Sequence, residues 1–101
     1  MENLAQKKLI NALIELTIRI SQIEKVKEIA YNLEGNKITI WIYADISLEE
    51  ENITRKIIDI EHDILRKYKE LLLELDIIPL KDLNYKKIPA PKEFQIISLP
   101  E

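Results

Sequence analysis

The sequence predicts one α+β domain: a small mixed sheet with two helices packed mainly on one face. Three observations carry this expectation. The run KITIWIYADI, Lys37 to Ile46, alternates Ile38, Ile40, Ile42, Ala44 and Ile46 with Lys37, Thr39, Trp41, Tyr43 and Asp45, which is the period of two of a β-strand. Two longer segments place their apolar residues at spacings of four and three, the period of an amphipathic helix. The only glycine, Gly35, falls between two strand-like runs, where a two-residue hairpin would place it.

Composition bounds what such a domain can do. A chain of 101 residues, 47% hydrophobic and 33% charged, suffices for one core and is too short for two. The net charge of -3 comes from 15 basic and 18 acidic residues mixed along the chain, unlike the clustered basic excess of a nucleic-acid binder. With no cysteine there is no disulfide, thiolate metal site or thiol nucleophile. Charge interrupts every apolar run before the about 20 residues of a membrane span, and MENLAQKKL lacks a signal-peptide cleavage pattern. The expectation is a soluble cytoplasmic protein without membrane insertion. Abundant Ile, Lys and Glu is a bias common in thermophile proteins and fits an AT-rich genome equally.

Taken in order, the first helix should run from Glu2 to about Gln22, with Leu9, Leu13, Leu16, Ile20 and Ile23 as its stripe. Ile10, Ile14 and Ile18 widen that stripe beyond a coiled-coil seam, enough to pack on a sheet, a second subunit, or both. Val26 to Glu34 reads as the first strand. Glu34-Gly35-Asn36-Lys37 reads as a type II′ hairpin, with glycine where positive φ is needed. If Glu34 faces Lys37, then Leu33 faces Ile38, Tyr31 faces Ile40 and Ile29 faces Ile42, which aligns the apolar faces.

Ser47-Leu48-Glu49-Glu50 matches a capping box that opens a second helix. Ile53, Ile57, Ile60 and Ile64 continue its stripe to about Glu70, with acids at the start and bases at the end. Leu71 to Leu80 reads as a third strand, which Pro79 ends or confines to an edge. A right-handed crossover puts it parallel to and beside the second strand. The helix-strand-strand-helix-strand order is half of a ferredoxin-like arrangement, with strand 37–46 central in three or four strands. Residues 1–80 form the domain. Residues 81–101 form a proline-containing extended tail, whose run 94–99, FQIISL, adds an edge strand or reaches across to a second subunit.

Chemistry is sparse. One glycine cannot build a phosphate-cradling loop, and the only histidine, His62, has no nucleophile to serve. The expectation is a non-catalytic protein without a cofactor. Among Asp59, Glu61, His62 and Asp63, the trio Asp59, His62 and Asp63 is spaced to point one way from a helix and is the metal candidate. It lies away from the apolar stripe, where charge is ordinary. The outer sheet face is the candidate binding surface, combining Glu28, Thr39, Trp41, Tyr43 and Asp76 with Glu74. Rings with polar handles suit interfaces. Three occupants compete for it: the tail or first helix, a second subunit or partner, and a cation or ligand held by carboxylates.

The run VKEIAYNLEGNKITIWIYADISLEEENITRKIIDIEHDILRKY, ending in LELDIIPL, resembles the cytosolic C-terminal domain of cation diffusion facilitator transporters. The shared features are the hairpin glycine Gly35, Asp45 closing the second strand and SLEE opening the long helix. The resemblance implies a dimer and a metal site from histidines early in that helix and in the last strand. The matching places here hold Glu51 or Asn52 and Asp76, so the metal ligands are missing. The LDIIPL segment and its proline-containing tail are also similar to those of nucleotidyltransferase-like proteins. The GS loop and paired aspartates of that family are absent, which implies a catalytically inactive relative. Together these readings predict a small interaction module working as a homodimer or with a protein partner. The alternatives are a metal- or ligand-responsive regulatory domain and an inactive nucleotidyltransferase-like partner protein.

Overall fold

A computed structural model describes residues 4–100 of the chain. The order is α1 (Leu4–Ser21), β1 (Val26–Glu34), β2 (Lys37–Ala44), α2 (Glu51–Lys67), β3 (Leu72–Pro79) and β4 (Gln95–Ser98). The strands form one open mixed sheet in the order β3-β2-β1-β4. The expected start of the first helix at Glu2 lies outside the described residues.

The hairpin forms in the register that the apolar pattern required: Glu34 pairs with Lys37, Leu33 with Ile38, Tyr31 with Ile40 and Ile29 with Ile42. Gly35 has φ of 61° while Asn36 keeps a negative φ, as a type II′ turn demands. At the other end of the ladder the register shifts between Val26 and Glu28. Lys27 is the extra residue of this bulge. Strict alternation would put Val26 on the outer face with Glu28; the bulge turns it inward against Ala44, and it joins the core.

β2 ends two residues before Ile46, the expected end. Asp45 and Ile46 leave the ladder to accommodate the β1 bulge and the chain after β3: Asp45 N–H donates to Lys25 O, and Lys81 N–H to Ile46 O. Ile46 nonetheless stays fully buried. β3 pairs parallel to β2, with Ile38, Ile40 and Ile42 beside Leu73, Leu75 and Ile77. Pro79 still pairs with Ala44, which a proline can do on an edge strand.

Helix α2 corrects the capping-box expectation. It starts at Glu51, with Glu50 at its boundary and no side-chain cap. Asp82 from the turn after β3 takes the Ser47 hydroxyl (2.7 Å) and the Leu48 N–H (2.9 Å), which holds residues 47–50 as a turn. Glu50 cannot reach back either, because Lys81 holds its carboxylate at 2.7 Å. The helix ends at Lys67 rather than near Glu70.

Leu9, Leu13, Leu16 and Ile20 of α1 and Ile53, Ile57, Ile60 and Ile64 of α2 meet the isoleucines of β1 and β2 in one core. The helices are tied side by side at the surface. Arg19 meets Asp63 at 3.0 Å, while Glu15 receives Lys67 and the Tyr68 hydroxyl, each at 3.1 Å.

Candidate functional site

The tail answers which element lies over the outer face of the sheet. After β3 the chain turns at Leu80 to Lys86, with Asn84 and Tyr85 both at positive φ, and Tyr85 N–H closes the turn on Leu80 O. It then crosses the sheet. The Tyr43 hydroxyl donates to the backbone oxygen of Ile88, Lys87 lies 5.2 Å above the Tyr43 ring, and the same ammonium pairs with Glu28. Farther along, Phe94 meets Trp41 edge-on at 5.7 Å. Tyr43 is 1% exposed as a result, and Ala30, paired with Trp41 and Ile96, is buried. Burial pushes the Tyr43 phenol up.

The five proposed face residues are therefore split. Tyr43, Glu28 and Trp41 engage the chain's own tail. Toward β3, Asp76 pairs with Trp41 and Thr39 with Glu74; there Asp76 and Leu72 are exposed and Lys37 meets Glu74 at 3.1 Å.

A charged cluster sits at the carboxyl end of β2. Lys81 bonds Glu50, and Lys25 approaches the same carboxylate at 3.6 Å. The Lys81 ammonium lowers the Glu50 pKa, and Asp82 is held low by the Leu48 N–H and then by the Ser47 hydroxyl. Asp45 raises the Tyr85 phenol. The cluster fastens the start of the tail to the loop before α2.

Asp59 and His62 are exposed on α2. Asp63 is occupied, since Arg19 and then Arg66 hold its carboxyl low. Among the described residues no group of three His, Cys, Asp or Glu side chains is close enough to hold a metal ion. An open pocket of about 510 Å³ lies between the start of α1 and the end of α2, lined by Lys8, Leu9, Asn36, Lys67, Tyr68, Lys69, Glu70 and Leu71. Lys67 already serves Glu15, and Asn36 caps the Glu70 carbonyl at 2.9 Å.

Two further surfaces stand open. On α1, Ile10, Ile14 and Ile18 are 44%, 49% and 52% exposed. Glu15 and Arg19 reach α2 from one flank of the helix, so Ile10 and Ile14, roughly half a turn away, occupy the other flank. The second surface is the β4 edge, where Gln95, Ile96 and Ser98 are exposed. Width of the apolar arc signals the first in the sequence, and the β-type run FQIISL signals the second. Among protein-family models, curated proteins and solved structures, none matches this chain. No helix among the described residues is long and apolar enough to cross a membrane.

Proposed function

We propose that this chain is a non-catalytic interaction module whose working form is a homodimer joined through the free flank of α1. The observation that carries the reading is the Ile10, Ile14, Ile18 stripe, left over after Leu9, Leu13, Leu16 and Ile20 have filled the core. Three half-exposed isoleucines in a row are costly to keep in water and mark a contact. Thr17 and Ser21, beside them on the helix surface, are uncharged, and Lys7 precedes Ile10 by one turn on the same face. The charged Glu15 and Arg19 are neutralised within the chain. A two-fold contact brings each patch against its own copy, so the uncharged part around Ile14 and Ile18 meets no like-charge repulsion there.

Sedimentation equilibrium tests this reading. The full chain should sediment at twice its monomer mass, and Ile14→Glu should sediment as a monomer with unchanged far-ultraviolet circular dichroism. A wild-type chain that remains monomeric into the high micromolar range removes the reading.

A further inference from the structure

The hydrogen-bond pattern of β4 defines how a second copy would be held. Leu99 N–H donates to Lys27 O at 3.1 Å, and the β1–β4 register continues through Ile29 with Ile97 and Tyr31 with Gln95. In an antiparallel ladder, bonded pairs alternate with unbonded ones. Gln95, Ile97 and Leu99 therefore turn their backbone groups toward β1. Ile96 and Ser98 turn theirs outward, at an edge whose side chains are exposed.

We infer that β4 pairs antiparallel with β4 of a second copy about a two-fold axis at Ile97, running one continuous sheet through both chains; this rests on the homodimer reading above. The register is self-complementary. Centred on Ile97, it sets Ile96 of each chain opposite Ser98 of the other, so every outward N–H meets an outward carbonyl. The two Ile97 side chains become close neighbours on the core face, extending the apolar layer. The segment Phe94 to Pro100 contains no charged residue, so it meets itself without repulsion. The opposite edge is guarded in the usual ways, since β3 carries Glu74, Asp76 and Pro79. The arrangement also agrees with the α1 stripe. Helix α2 lies over β3 and α1 over β1 and β2 alike, so the flank of α1 away from α2 is on the β4 side. The same axis puts this flank of each copy, with Ile10 and Ile14, on the side facing the other.

Proline substitution tests the edge separately from the helix. Ile96→Pro removes an outward N–H and leaves the bonds to β1 in place. Its dimer should dissociate at least about tenfold more readily than wild type, with the thermal transition of the monomer unchanged. Ser98→Pro should do the same and serves if Ile96→Pro does not fold. Amide exchange gives a second readout. Ile96 and Ser98 should be protected only at concentrations where the dimer forms, and Ile97 and Leu99 at all concentrations. A stable wild-type dimer that both proline variants retain, with Ile96 and Ser98 exchanging rapidly, overturns the edge pairing and leaves the α1 contact standing. A monomeric wild type overturns both.

Discussion

Gly35 illustrates a residue whose role is conformational alone. Its φ is 61°, and a Cβ added there would meet nothing within 4 Å. Gly35→Ala should thus destabilise the fold by about 1–2 kcal/mol through backbone strain without a clash, and Gly35→Asn should cost less because asparagine tolerates this region. Urea denaturation of the two variants at a concentration where the protein is monomeric measures the difference. Tyr43 is the opposite case, a residue whose worth lies in its contacts. Tyr43→Phe removes the bond to Ile88 O, and a loss of about 0.5–1.5 kcal/mol is expected, with faster amide exchange from Ile88 to Phe94. Trp41→Ala should loosen Phe94 in the same way while the hairpin register, fixed by Gly35 and the isoleucines, persists in cross-strand NMR contacts. The alternation of KITIWIYADI placed Tyr43 on the outer face. Its burial by a segment some 45 residues later in the chain leaves no mark in the local sequence.

At the scale of elements, the apolar periods were legible because each helix and strand must bury one face whatever its neighbours are. Ile53, Ile57, Ile60 and Ile64 are all buried as their spacing requires. The start of α2 was not legible, because a capping box is a local bid that a distant competitor can outbid. Asp82 offers Ser47 and Leu48 a charged acceptor, stronger than a neutral cap bond. Ser47→Ala should consequently leave the helical circular dichroism unchanged. Asp82→Ala should free residues 47–50 and the turn at 80–86 together, seen as faster exchange of the Leu48 and Tyr85 amides. Val26 follows the same logic, since its inward turn depends on a bulge that only the pairing with β2 creates.

For the whole molecule, the side-chain ties between elements at the surface are mostly ionic, so stability should depend on pH. Lys67 holds the Glu15 carboxyl below its usual range, Arg19 does so for Asp63, Lys81 for Glu50, and the Leu48 N–H for Asp82. A carboxyl whose folded pKa is depressed contributes fully above its unfolded value, near 4, and loses that contribution as pH falls through the folded value. The thermal midpoint should be level above about pH 5 and fall steadily on acidification below it. Asp63→Asn should reduce the extent of that fall by releasing one of these groups, as calorimetry at pH 7 and pH 3 would show. Each pair is exposed and individually weak; their common direction makes the trend.

Taken alone, the sequence determined the α+β class, the two helices, the hairpin and its register, and the parallel placement of β3 beside β2. These follow from periodicity, one obligatory glycine and the handedness of crossovers, all properties of short segments or of chirality. Tertiary structure decided where the tail goes, what Tyr43 and Glu28 touch, how α2 begins and which backbone groups of β4 remain open. Those outcomes depend on groups far apart in the chain competing for the same partner, Asp82 for Ser47 or Lys87 for Glu28, and competition of that kind is resolved only when the elements have been brought together.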